Sequence, residues 1–180
     1  MTGETGGWLI PASVQPGGRP PAPGPLALVQ SFINSHYDLE VDHGADQPAC
    51  QQPPAQRSRG REQIGARTRI GKADLERALT VREGLRELAR NGGDQGRSVV
   101  LLVDEATSGG GVAASLGLVL GITAQAIVDG SWSRLKICPG EDCDWAFFDH
   151  SRNHTGRWCS MSVCGGRAKA RSHYHRRRGD

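Results

Sequence analysis

The sequence is short of aromatic residues and of lysine. Phe, Trp and Tyr together make up 5% of 180 residues, and lysine occurs only at Lys72, Lys136 and Lys169. With 37% hydrophobic residues the chain can bury one modest core, and a second small unit needs a staple. It also lacks the short signatures of catalysis. There is no G-x-S-x-G turn, no phosphate loop, no G-x-G-x-x-G fingerprint and no H-E-x-x-H pair. Gly109-Gly110-Gly111 has no flanking lysine for a phosphate, and Asp104 and Glu105 are neighbours without a third partner. No enzymatic activity is expected. The opening MTGETGGWLIPAS has neither a basic n-region nor a long apolar h-region, so the expected compartment is the cytoplasm. Glycine is plentiful (25 residues) but has no period of three, which excludes a collagen-like chain.

Charge is split along the chain. Residues 1–130 carry 12 Lys/Arg and 14 Asp/Glu, net −2; residues 131–180 carry 10 and 5, net +5. The C-terminal part is therefore expected to meet an anionic partner.

Residues 1–24 are rich in Gly and Pro and read as a disordered lead-in. Pro25 suits a first helical position, and Leu26, Val29, Ile33 and Tyr37 recur at near-helical spacing, predicting a helix over 25–37. Residues 38–61, with a Pro-rich part at about 47–61, read as a loop. Its group His36, Asp38, Glu40, Asp42, His43 and Asp46 fits no defensible ligand pattern and reads as a solvated acidic stretch. Residues 72–90 form the clearest helix, with Leu75, Ala78, Leu79, Leu85, Leu88 and Ala89 as its stripe, broken at Arg82. The run 98–103 is too short to assign. Gly109 to Val128 carries no charge for 20 residues, which meets the length of a membrane span. Its glycines, Ser115, Thr123 and Gln125, with a stripe of Val112, Leu116, Leu120 and Ile127, favour a core helix over about 112–129.

Four of the five cysteines lie in the last 43 residues, in the pattern C-x4-C-x15-C-x4-C: Cys138, Cys143, Cys159 and Cys164. Two close pairs are the arrangement of a structural zinc site, each pair supplying two thiolates from one turn. Four protein ligands leave no position for a catalytic water, so one structural Zn2+ is expected. Free thiols or two disulfides are the competing readings. Cys50 lies far away in the Pro-rich stretch. Trp145, Phe147 and Phe148 suit a short strand packing a mini-core against the metal, joined by Trp158. Ser160 is a good N-cap, and Met161 to Arg178 then reads as a basic helix. On it Lys169 and Arg176 share one side, while Arg167, Arg171 and Arg178 lie near another at spacings of four and seven.

Residues 135–178 resemble the CGNR zinc finger, through Cys138, Cys143, Trp145, Phe148, the D-x-S-R-N element Asp149 to Asn153, Arg157-Trp158-Cys159-Ser160-Met161, then Cys164, Gly165, Arg167, Lys169 and Arg171. Gly166 stands where the signature has asparagine. In that family the finger follows a helical ABATE domain of stress-induced transcription regulators, and residues 26–34 and 72–90 resemble parts of it. The resemblance implies a mostly α fold: an N-terminal helical domain over 25–130 and a small treble-clef or ribbon-like zinc unit over 135–178 ending in a basic helix. It implies a bacterial DNA-binding transcription regulator, nucleoid-associated in the cytoplasm. The candidate nucleic-acid contacts are Arg152, Asn153, Arg157, Arg167, Lys169, Arg171, His173, Arg176, Arg177 and Arg178. RNA binding and docking on an acidic surface of the transcription machinery are the alternatives. A homodimer is a further partner to test, and a membrane is not expected.

Overall fold

A computed structural model describes residues 15–35, 71–91, 99, 103 and 112–178. Helix α1 spans Leu26–Asn34, α2 Lys72–Asn91 and α3 Ala113–Val128. A 3-10 turn over Ser131–Arg134 leads into strand β1, Leu135–Ile137, which pairs antiparallel with β2, Ala146–Phe148. A π-helical turn, Met161–Gly165, opens α4, Gly166–Arg178. The protein is mostly helical. Helices α2 and α3 lie within a residue of their predicted bounds, whereas α1 ends at Asn34, capped by Ser35, short of the predicted residue 37. His36 and Tyr37, the stretch 38–61 with Cys50 and the acidic group, most of 98–103, Asp104, Glu105 and Gly109 to Gly111 lie outside the described residues.

Pro25, with φ −61°, presets the helical turn at the start of α1. Val29 and Ile33, four residues apart on α1, point into a core with Val81, Leu85 and Leu88 of α2 and Leu116, Val119 and Leu120 of α3. Each such side chain contributes about 1.5–3 kcal/mol on full burial. The buried stripe of α2 differs from the expected one. Leu75 is exposed, Ala78, Leu79 and Ala89 are half-buried, and Val81, Leu85, Arg86 and Leu88 are buried. The reason is Arg86, which turns inward rather than to solvent. Its guanidinium donates to the Ile33 carbonyl near the end of α1 and to Glu83 Oε2 at 2.7 Å. Helix α3 is apolar on nearly every side, yet it buries only Leu116, Val119, Leu120, Thr123 and Ala126 and leaves Leu118 and Val128 exposed. Among the described residues no helix is long and apolar enough to cross a membrane.

Residues 15–24 correct the expectation of a disordered lead-in, whose first fourteen residues lie outside the described ones. Gln15, Pro16 and Ala22 are buried. Gln15 Oε1 accepts from Trp145 Nε1 at 3.1 Å and from Gln30 Nε2 at 3.3 Å. Ala22 N–H donates to Gln30 Oε1 at 2.7 Å. Gly17, at φ 73°, turns the segment so tightly onto Ser160 that a Cβ there would lie 3.0 Å from its Oγ. A Gly/Pro-rich composition hides this order, because side-chain hydrogen bonds rather than an apolar pattern hold the segment.

The hairpin is buried on both faces. Ala146 and Phe148 of β2 and Leu135 and Ile137 of β1 join the helical core, while Trp145 and Phe147 pack with the four cysteines. Phe148 was expected beside the metal. The alternation of strand side chains sends it to the opposite face. The boundary expected between 130 and 135 is thus a change of element with no break in packing.

Asn34 closes the outer edge of the hairpin. Its Nδ2 donates to the Ala146 carbonyl at 2.9 Å, and its Oδ1 accepts from Ala146 N–H at 2.8 Å. Gln30 Nε2 adds a second bond to the same carbonyl at 3.1 Å. Asn34→Ala strands a buried N–H and weakens the cover of its carbonyl, at roughly 1–3 kcal/mol per group. We expect this variant to lose about 2 kcal/mol or more of unfolding free energy, read as a lower denaturant midpoint. A Ser31→Ala control should cost distinctly less in the same chemical unfolding experiment.

Candidate metal centre

The four cysteines come from two places. Cys138 and Cys143 lie in the turn joining β1 to β2, Cys159 lies just before the Ser160 cap of the π-helical turn, and Cys164 lies inside that turn, two residues before α4. Local backbone bonds shape both. Cys138 N–H donates to the Trp145 carbonyl at 2.9 Å, Cys143 N–H to the Gly140 carbonyl at 3.1 Å, and Gly165 N–H to the Ser160 carbonyl at 3.0 Å. Ser160 caps the second turn as expected, its Oγ accepting from Val163 N–H at 3.3 Å. All four Sγ atoms lie within 4.8 Å of one another and are buried.

The residues present fit one zinc ion. Sulfurs at 2.3 Å from a tetrahedral zinc lie about 3.8 Å apart. The Cys143–Cys159 and Cys159–Cys164 Sγ pairs are each 3.6 Å apart, far beyond a disulfide bond. None of the four is bridged. Gly140 leaves room for the sulfurs, since a Cβ there would lie 3.1 Å from Cys143 Cβ, 3.2 Å from Cys164 Sγ and 3.4 Å from Cys138 Sγ. The proton sharing among the thiols is uneven. Hydrogen bonds from Cys143 and then Cys159 hold Cys138 well below the usual thiol range. Cys159 is pushed up, first by its hydrogen bond with Cys138. Four thiolates around Zn2+ leave a net charge of −2, and Arg167 Nη2 donates to Cys164 Sγ at 3.4 Å to offset part of it.

A second polar cluster braces the loop between the cysteine pairs. Asp149 is fully buried, and Lys136 Nζ of β1 reaches its Oδ2 at 2.7 Å. The same ammonium donates to the carbonyls of His154 at 2.5 Å and Gly156 at 3.1 Å. Asp149 also accepts from the N–H groups of Ser151 at 3.0 Å and Gly156 at 2.7 Å. Burial alone would raise its pKa, but Lys136 and the Ser151 and Gly156 donors outweigh it and hold the carboxyl well below the ordinary range. A carboxyl lowered in this way stabilises the folded state above the ordinary carboxylate pKa. That contribution fades as pH falls through the lowered value. Gly156 packs directly on this carboxylate: a Cβ would lie 2.7 Å from Asp149 Oδ1.

Residues 134–177 match the family model of the CGNR zinc finger. The match covers about a quarter of the chain and leaves α1 to α3 outside it. No curated protein and no solved structure matches the chain. Within the finger, the expected nucleic-acid contacts separate into groups. Arg152 and Asn153 sit in the exposed turn after β2. Arg157 stacks its guanidinium 5.6 Å from the Trp158 ring centroid. Arg167 is turned to Cys164, Arg171 is ion-paired with Glu141, and Arg178 lies over Tyr174, 5.2 Å from the ring centroid. Lys169, His173 and Arg176 line an open groove of about 610 Å3 with Trp158, Gly165, Ala168 and Ser172. Arg177 is exposed.

Three functional residues escaped the sequence reading. Arg19 donates through Nε to the Cys159 carbonyl at 2.8 Å and through Nη2 to the Trp158 carbonyl at 3.0 Å, with its guanidinium 5.0 Å from the Phe147 ring centroid. Arg90, at the end of α2, pairs with Asp144 in the first cysteine turn at 2.9 Å. Lys136 gave no signal as a hub. Only its position two residues before Cys138 marked it.

Gly166 has helical φ −63° and ψ −46°, and a Cβ there would meet only the Met161 carbonyl oxygen, at an ordinary 3.6 Å. Gly166→Ala should therefore raise stability by up to about 1 kcal/mol, whereas Gly156→Ala should lower it through its clash with Asp149, both read by thermal unfolding of zinc-loaded protein. Metal analysis should find one zinc per chain, lost on acidification as the thiolates take up protons. Cys164→Ser should retain distinctly less zinc, and the loss should bring melting of the finger.

Proposed function

We propose that this protein is a non-catalytic, zinc-dependent DNA-binding transcription regulator. The observation that carries this reading is α4. It bears Arg167, Lys169, Arg171, Arg176, Arg177 and Arg178, buries none of its residues, and is rooted at Cys164 in the metal centre. A helix held rigidly at one end and cationic along its length presents positive charge to phosphates at low entropic cost. Zinc serves as the staple that orients this helix, and the helical part resembling an ABATE domain would supply sensing or pairing with a second copy. The net +5 of residues 131–180 favours the same partner class.

Binding of full-length, zinc-loaded protein to a labelled random duplex, measured by anisotropy at 50 and 200 mM salt, tests this. With about five phosphate contacts, affinity should fall several-hundred-fold between the two conditions. Chelation of zinc should abolish binding. Preference for structured RNA over duplex DNA would replace DNA as the partner. No binding to either polymer would overturn the reading in favour of a protein-docking module.

A further inference from the structure

Helix α4 has two cationic sides, and they are not equivalent. On one, Arg167 donates to Cys164 Sγ, Arg171 pairs with Glu141, and Arg178 donates to Tyr174 Oη at 2.5 Å. These guanidiniums are turned to partners within the chain. On the other, Lys169, His173 and Arg176 line the groove beside Trp158, and none of them makes an ion pair among the described residues. Lys169 and Arg176 stand seven residues apart, about 10 Å along the helix axis. The groove floor is apolar and small, formed by Gly165 and Ala168 with the Trp158 ring as its wall, and Ser172 adds a hydroxyl between the two cations.

We propose that this groove, and not the Arg167–Arg171 side, holds the DNA backbone. Phosphates of one strand lie against Lys169 and Arg176, with His173 and Ser172 beside them. The apolar sugar edge rests on Gly165, Ala168 and Trp158. The proposal rests on the DNA-binding reading above and specifies which half of the basic helix performs it. The charge argument decides between the sides. A phosphate on the groove side meets two cations with no acidic partner among the described residues, whereas on the other side Arg171 is paired with Glu141 and Arg167 is turned to the metal thiolates, leaving Arg178, bonded to the neutral Tyr174 hydroxyl, as the cation without an acid. Arg167 is expected to act on the metal centre as a positioning residue.

The experiment compares full-length wild type, Lys169→Ala/Arg176→Ala and Arg171→Ala by anisotropy on the same random duplex over a salt series, with zinc content measured for each. Loss of two phosphate contacts should weaken the groove variant on the order of 60-fold at 100 mM salt and reduce the salt slope by about 1.8. Arg171→Ala should lose distinctly less affinity than the groove variant, with a slope change well below about 1.8, and zinc content should be equal in all three. Wild-type affinity in the groove variant, or an equal loss in Arg171→Ala, overturns the assignment while leaving DNA binding intact. Absence of DNA binding by the wild type overturns both readings. A groove effect seen with RNA alone overturns the assignment of the groove to DNA.

Discussion

A hairpin of three residues per strand cannot hold itself together in water. Here Leu135–Ile137 and Ala146–Phe148 form the only sheet among the described residues, and the rest of the structure is arranged around keeping that sheet buried. One face lies on the helical core and the other on the cysteines. Its turn supplies two of the four thiolates, so metal binding and hairpin closure are one event. Structural zinc of this kind contributes its binding energy directly to folding.

The polar contacts follow from the same constraint. A short strand with an open edge exposes N–H and C=O groups, and Asn34 and Gln30 of α1 satisfy those of Ala146. Arg90 ties α2 to the first cysteine turn, and Arg19 ties the N-terminal segment to the carbonyls beside the second. Lys136 and Asp149 brace the long loop between the pairs from inside. The helices thus form the second wall of the zinc unit.

Rigidity at the metal and exposure beyond it together account for the character of α4. Its first turn is fixed by Cys164, Ser160 and the packing of Gly165 against Met161 and Trp158. After that turn it leaves the body of the protein with no buried residue. A solvent-exposed helix so rich in arginine gains nothing from the core. Its charge stays at the surface, where Arg171 pairs with Glu141.

The zinc ligands, the three long helices and the two-sidedness of the basic helix were all legible in the sequence. Each rests on a regular spacing: paired thiols at x4, apolar residues at helical intervals, and the offset of Lys169 and Arg176 from Arg167, Arg171 and Arg178. Tertiary structure alone decided the rest. That Arg86 points inward, that Asn34 and Gln30 pair with a strand, and that Gly/Pro-rich residues 15–24 are packed all depend on long-range hydrogen bonds between single polar side chains and distant backbone. Such bonds leave no period in the chain. Phe148 shows the same limit from the apolar side. The sequence marks it as core, but which of two cores it enters depends on strand register, and only the paired hairpin sets that.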